Sequence, residues 1–288
     1  MYTYLKAIIN LPNGVKFFFL TELIIGIGGG IWGLNFNFLM KSKGFSLSEI
    51  GKIIAVSPLV TALFSLPAGY LCDRSGYKRS MIAGCASRAA AMFIAFLADS
   101  TGLIYLSRIL TGIGDSFVLT SSYPYITSMV TEEKRSMVYS LLFSCMMFSS
   151  FLGSTAGGFL LKVIKDSDRY EISIIIAFII MFVVTIMRCF LPKASVKREK
   201  GEKARIYIPR QKFLFAYLLN DFIGFISYFI GTSMLNLILR DVMKMSDSFT
   251  GITLGLSTIM SSVAVFIVPH VTSRFRGTKV GSLALWIL

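Results

Sequence analysis

The chain contains eight apolar segments, each about as long as a helix needs to cross a lipid bilayer. They cover residues 17–40, 47–72, 80–98, 102–129, 136–163, 172–191, 213–239 and 250–271, and a ninth begins near Val280. Crossing the hydrocarbon core takes about 20 predominantly apolar residues, and a helix satisfies its own backbone hydrogen bonds there. A hydrophobic content of 55% excludes an ordinary soluble globule. The sequence therefore predicts an all-α polytopic membrane protein.

Basic residues are concentrated in alternate loops between these segments. One set of loops includes eight bases between Lys193 and Lys212. The other bases of this set are Lys6, Lys16, Arg74, Lys78, Arg79, Lys134, Arg135, Arg274, Arg276 and Lys279. Lysine and arginine accumulate in cytoplasmic loops, and they can also contact anionic lipid headgroups. The net charge of +14 thus indicates orientation rather than nucleic-acid binding, and predicts a plasma-membrane protein with its N-terminus and central loop in the cytoplasm.

Two parts of the chain, about two hundred residues apart, read alike. Residues 45–51 (FSLSEIG) are echoed by 245–251 (MSDSFTG), and 34–36 (LNF) by 235–237 (LNL). Each longer match precedes an apolar segment that ends near a proline, Pro67 or Pro269. Chance similarity of short Ser/Gly turns is the alternative. The shared helix order favours two copies of one bundle, with a half at 1–191, a basic linker at 192–212 and a partial half at 213–288.

Glycines are frequent in the first and fifth segments. They are Gly26, Gly28, Gly29, Gly30 and Gly33 in the first, and Gly153, Gly157 and Gly158 in the fifth. Small residues let the backbones of membrane helices approach closely, and glycine also permits a local kink. We expect close packing of these two helices.

The sequence gives no support for a nucleotide-binding, metal or redox site. Gly51-Lys52 is followed by Ile53, so no P-loop is formed. The four cysteines, Cys72, Cys85, Cys145 and Cys189, are widely spaced and are interpreted as packing residues. His270 is interpreted in the same way. We expect no cofactor and no metal site.

A polar segment, predicted as a hairpin loop, separates the second and third apolar runs. Residues 69–79 read GYLCDRSGYKR, which fits G-x-L-x-D-R-x-G-x-K-R. This pattern resembles the signature between the second and third helices of the major facilitator superfamily (MFS) of secondary transporters. The resemblance implies an MFS-type pseudo-twofold helical bundle, with a complete six-helix first half and a partial second half. It also implies a conformational latch formed by Gly69, Asp73, Arg74, Gly76, Lys78 and Arg79.

Two further motifs are similar to patterns of this family. Residues 108–114 (RILTGIG) resemble the fourth-helix R-x-x-x-G-x-G motif, whose arginine is linked to proton transfer. Asp115 follows Arg108 by seven residues, which at 100° per residue places both on about the same helix face. Arg108 could line a cavity with Asp115 or snorkel to the outer surface. Residues 153–160 (GSTAGGFL) resemble the fifth-helix motif of antiporters, although Ser154 and Ser149 replace its proline and upstream glycine.

Acidic residues within the apolar segments are the remaining candidates. The family lines its central cavity with the first, fourth and seventh helices, which implies Glu22, Asp115 and Asp221 as sites for protons or cationic substrates. Glu22 and Asp221 could instead be interfacial residues near segment ends. Arg88 is interpreted as a structural pair or a snorkelling residue. Asn35 and Asn37 are interpreted as weak substrate contacts at most.

The sequence favours a transporter rather than an enzyme. We expect proton-coupled efflux antiport of small amphipathic compounds by alternating access, in a lipid bilayer and as a monomer if the protein is full length. An uptake symporter for a metabolite is one alternative. The chain ends within an apolar stretch, which is typical of truncation after the start of a ninth helix. A truncated, non-transporting fragment is therefore the other alternative.

Overall fold

The described part of the chain is built around six long helices. The computed structural model describes residues 11–164, 168–194 and 234–259. The helices are α1 (Asn13–Ser42), α2 (Leu47–Ser75), α3 (Tyr77–Leu97), α4 (Thr101–Thr127), α5 (Glu132–Val163) and α6 (Arg169–Cys189). All six are long and apolar enough to cross a membrane. The first six predicted segments are thereby confirmed, and no β-strand occurs within the described ranges.

The polar segment 69–79 is helical almost throughout, so its prediction as a hairpin loop is wrong. α2 runs through Pro67 and ends only at Ser75, and α3 begins at Tyr77. Gly76 alone joins the two helices, with a φ of 89° that favours glycine. Asp73 consequently lies on the last turn of α2.

Helix packing in the bundle depends on glycine. α1 packs against α5 and α6, α3 packs against α4 and α6, and α2 packs against α4. A Cβ atom at Gly30 would lie 2.5 Å from the Ser150 carbonyl oxygen, and one at Gly84 would lie 2.8 Å from the Gly114 carbonyl oxygen. The predicted close approach of α1 and α5 is confirmed, and α3 and α4 meet in the same way.

The turn between the first two helices recurs in the second part of the chain. A short helix (Leu235–Leu237) and a π-helical turn (Ile238–Val242) are followed by helical residues 247–259. Gly44 and Lys244 both have a left-handed φ, of 88° and 57°. Two residues later, the Ser46 and Ser246 hydroxyls accept hydrogen bonds from the backbone N–H groups of Glu49 and Phe249, each at 3.3 Å. The two copies of the predicted repeat therefore share the geometry of this turn.

Candidate functional site

Arg108 is buried within the bundle. It lies on the second turn of α4, and its guanidinium covers the Phe36 ring of α1 at 5.0 Å from the ring centre. Only 9% of Arg108 is exposed, and its Nε has no hydrogen-bond partner in the described part of the chain. An arginine that snorkelled to the membrane surface would not be buried against a neighbouring helix. Arg108 is therefore a buried cation with an unused donor.

Asp115 forms an ion pair across two helices. Its Oδ1 lies 3.3 Å from the Nε of Arg88 on α3. About a third of the Asp115 side chain is exposed (32%), and 19% of the Arg88 side chain. Arg108 also acts electrostatically on this carboxylate from two turns away. Of the two expectations for Arg88, a pair and a snorkelling residue, the structure shows a pair, and Asp115 is a partly exposed acid on which two guanidinium groups act.

Glu22 forms a second ion pair that differs in burial. Arg188 of α6 donates from Nη2 to the Glu22 carboxylate, and the two side chains are 0% and 2% exposed. Its Nη1 donates to the Cys85 thiol at 3.3 Å, and the guanidinium lies 5.6 Å from the centre of the Phe18 ring. This cluster joins α1, α3 and α6 inside the bundle.

Arg188 is the functional-site candidate that sequence reasoning missed. Its position near the end of an apolar segment is compatible with an interfacial residue. The available signal was the high cost of an arginine in an apolar span, which normally requires an acidic partner. That rule predicts that Arg188 has an acidic partner, but it does not identify which residue the partner is.

The second part of the chain packs against the bundle end that carries the α1–α2 turn. We call it the outer end, after the orientation that the basic loops predict. Lys41 of α1 lies 2.5 Å from Asp241, which also accepts from Arg240 at 2.9 Å. Arg240 donates to the Tyr170 hydroxyl at 3.1 Å and covers the Phe38 ring at 4.1 Å. Ionic and aromatic contacts thus tie the π-helical turn to α1 and α6.

Two asparagines extend the outer-end contact. Asn37 donates to Asn236 at 2.8 Å, and Asn236 donates to the Leu34 carbonyl oxygen at 2.8 Å. Asn35 is fully buried, and its side-chain amide lacks a hydrogen-bond partner among the described residues. Asn37 therefore contacts the second copy of the repeat in this conformation.

Asp241 carries the only resolved carboxyl pKa shift outside the membrane-spanning helices of the described chain. Burial opposes its ionisation, but hydrogen bonds from Lys41 and Arg240 outweigh this effect and hold the pKa of the Asp241 carboxyl below its ordinary value. The contact to Lys41 is therefore ionic at neutral pH.

The predicted latch lies at the opposite end of the bundle. Asp73, Arg74 and Arg79 are exposed, and Lys78 is partly so. No ion pair to Asp73 occurs within the described ranges, and a Cβ atom at Gly69 would meet only open space there. Asp221 and His270 lie outside the described residues. The latch and the Asp221 site therefore remain predictions.

The helix order and the motifs at 69–79 and 108–114 lie within one large sequence match. Residues 18–288 match the family model of the Major Facilitator Superfamily. The chain belongs to the Major Facilitator Superfamily. The family expected from the motifs is thus confirmed.

Curated relatives of this MFS chain are transport and resistance proteins. It is 27% identical to Multidrug resistance protein 2 of Bacillus subtilis (strain 168) over 122 residues, which are 42% of this chain and 30% of that protein. It is 32% identical to Vesicular acetylcholine transporter unc-17 of Caenorhabditis elegans over 157 residues, which are 51% of this chain and 26% of that protein. The alignments therefore span less than a third of either relative.

Solved structures give the same fold. A crystal structure of a mutant of the nucleoside transporter NupG matches with a TM-score of 0.64 and 13% identity, covering 91% of this chain and 69% of that one. Identity at this level shows the fold alone. The MFS-type helical bundle of a multi-pass membrane protein is confirmed, and the relatives point to a transporter rather than an enzyme.

Proposed function

We propose that the protein is a secondary active transporter that exports small amphipathic cations in exchange for protons. The observation that carries this proposal is Asp115, a partly exposed carboxylate on a membrane-spanning helix. Such an acid can hold either a proton or an organic cation, which is the competition that antiport requires. The name of one relative, an acetylcholine transporter, supports a cationic substrate, and the name of another, a multidrug resistance protein, supports export.

Glu22 and Asp115, the two predicted acidic sites that the structure describes, suit different roles. Asp115 is held by one ion-pair contact of 3.3 Å and is open on one side. Glu22 is enclosed together with Arg188, and releasing it would leave a guanidinium uncompensated inside the bundle. We therefore assign proton and cation exchange to Asp115 and a structural role to Glu22, in place of the exchange role that the sequence predicts for Glu22.

Alternating access requires that contacts between the two halves open and close in turn. The contacts of Lys41 and Asn37 with the second part of the chain bring the halves together at the outer end. With the orientation predicted by the basic loops, this end faces away from the cytoplasm. The structure then corresponds to a conformation closed on the outside. A tag on the N-terminus should accordingly lie in the cytoplasm, where a reagent added outside intact cells does not reach it.

Transport of ethidium, a fluorescent amphipathic cation, tests the proposed function. The protein is reconstituted into liposomes, and ethidium movement is followed after a pH gradient is imposed. Asp115→Asn should abolish gradient-driven movement because an amide neither binds a proton nor balances a cation. Asp99→Asn is the matched control, because Asp99 is exposed at the α3–α4 turn. Full transport by Asp115→Asn would refute the assignment.

One observation favours a second candidate function, proton-coupled uptake of a metabolite. The unused Nε donor of buried Arg108 would suit a substrate that carries a carboxylate or another strong acceptor. The direction of substrate flux separates the two functions. An antiporter moves substrate against the imposed proton flow, whereas a symporter moves it with that flow.

A further inference from the structure

We propose that Arg88 is an internal competitor for Asp115. The Arg88 guanidinium pairs with the Asp115 carboxylate when no substrate is bound. It moves aside when a cationic substrate or a proton binds to that carboxylate. Arg88 is thus a positioning residue that sets how tightly the site holds a cation. The inference rests on the proposed function of Asp115 and adds the group that a substrate must displace.

The stem of Arg88 is fixed while its charged end is loosely held. A Cβ atom at Gly114 would lie 2.6 Å from the Arg88 Cγ and 2.7 Å from the Gly84 carbonyl oxygen, so the stem passes where α3 and α4 almost touch. The guanidinium makes one ion-pair contact of 3.3 Å and is partly exposed. Because this pair has a single contact and is not enclosed by protein, it should cost less to separate than an enclosed pair.

Room for the displaced guanidinium lies beside α1. Among the described residues, and leaving aside the backbone of α1 itself, the one atom within 4 Å of a Cβ at Gly29 is the Arg88 Nη2, at 3.8 Å. Glycine at this point leaves space that a larger side chain would fill. The charged end of Arg88 can therefore turn from Asp115 towards α1 without moving its stem.

Contacts other than the ion pair also hold α3 against α4. The Ser87 hydroxyl donates to the Leu110 carbonyl oxygen at 2.7 Å, and the Ser107 hydroxyl donates to the Ala91 carbonyl oxygen at 2.8 Å. Together with the contact of Gly84 and Gly114, these bonds secure the helix pair. The exposure of the ion pair therefore calls for a different explanation from packing.

The charged groups around Asp115 set the net charge of the site that a substrate would enter. Arg88 faces it from α3 and Arg108 acts on it from its own helix, and these are the charged groups that influence it in the described part of the chain. From α2, Thr61 bonds to the Gly112 carbonyl oxygen and brings no charge. With both arginines in place the site carries a net positive charge, which disfavours cations. Displacement of Arg88 removes this obstacle.

Equilibrium binding of ethidium to the purified protein, measured by fluorescence across pH, tests the inference. Arg88→Gln should tighten binding about fivefold at neutral pH, as expected when a partly exposed ion pair no longer competes. The same change should raise the pH at which protons displace half of the bound ethidium, because a cation that opposed protonation has been removed. Arg135→Gln is the matched control, since Arg135 forms an exposed pair with Glu132 at 3.1 Å.

The outcomes separate the inference from the proposed function. Unchanged or weaker ethidium binding by folded Arg88→Gln, with the same pH midpoint, overturns the role of Arg88. Retention of wild-type ethidium binding by Asp115→Asn overturns the proposed function instead. If Arg88→Gln does not fold, Arg88→Lys replaces it and should tighten binding about twofold, because its shorter reach weakens the pair. Wild-type affinity in Arg88→Lys would then overturn the inference.

Discussion

Neutralising Glu22 should strongly destabilise the protein. Glu22→Gln leaves the Arg188 guanidinium without a counter-ion at a position where 0% of its side chain is exposed. The Cys85 thiol and the Phe18 ring are the other groups in contact with it, and its Nε already lacks a partner among the described residues. Breaking a buried ion pair from one side costs about 3–5 kcal/mol. At roughly 2–4 °C per kcal/mol, the midpoint of thermal unfolding should fall by at least about 6 °C.

Thermal unfolding of purified variants in detergent measures this effect. The double variant Glu22→Leu with Arg188→Met should recover most of the lost stability, because both charges are replaced by apolar groups of similar size. Asp115→Asn, at the exposed pair, should shift the midpoint far less. A loss below about 1 kcal/mol in Glu22→Gln, or a double variant as unstable as the sum of the single ones, would refute the buried-pair argument.

A second readout separates structure from transport in the same variant. At a low temperature at which the Glu22→Gln variant is still folded, the variant should exchange ethidium for protons with the wild-type pH profile. If exchange is lost while the fold is intact, Glu22 is a proton site, as the sequence predicts, and its structural assignment is wrong.

Three further perturbations test the packing and the outer end. Gly153→Ala should lower the free energy of unfolding by about 1–3 kcal/mol, because its Cβ would overlap the α1 backbone, whereas Gly33→Ala, with nothing within 4 Å, should have little effect. Lys244→Gly should stabilise the protein by up to about 1 kcal/mol by relieving a φ of 57°, and Gly44→Ala, at a φ of 88°, should destabilise it in the same assay. Asp241→Asn should increase labelling of a cysteine placed at Gly33 by an impermeant maleimide added from outside, since an ionic outer contact is lost. Because the pKa of Asp241 is lowered, its carboxylate stays ionised to a lower pH than an ordinary aspartate, so acidification of wild type to pH 5 should not reproduce the labelling.

Hydropathy located the helices well but not their ends. The predicted segment 47–72 corresponds to Leu47–Ser75, and 172–191 corresponds to Arg169–Cys189. Apolar length reports the part of a helix that lies in hydrocarbon, whereas polar residues at the membrane surface remain helical. This is why Asp73 lies on α2 rather than in a loop. The glycine-rich contact of α1 and α5 was predictable because small residues at close helix crossings leave a compositional signal.

Contacts between side chains of different helices could not be predicted from the sequence. Periodicity places Arg108 and Asp115 on one face of α4, but it does not identify the neighbouring helix that faces them. Tertiary packing brings Arg88 to Asp115 and Arg188 to Glu22. Sequence reasoning assigned the same role to both acids because their local settings are alike. The difference between them arises only from burial.

That difference is also the reason why we propose exchange at Asp115. Both acids face an arginine, so the presence of a counter-ion cannot decide which one carries a proton. The cost of separating the pair decides it. Separation of Glu22 from Arg188 leaves two charges enclosed by protein, whereas Asp115 and Arg88 are partly exposed, with space beside Gly29 for the guanidinium. A transporter must break and remake such a contact in every cycle, and of these two pairs the partly exposed one should separate at the lower cost.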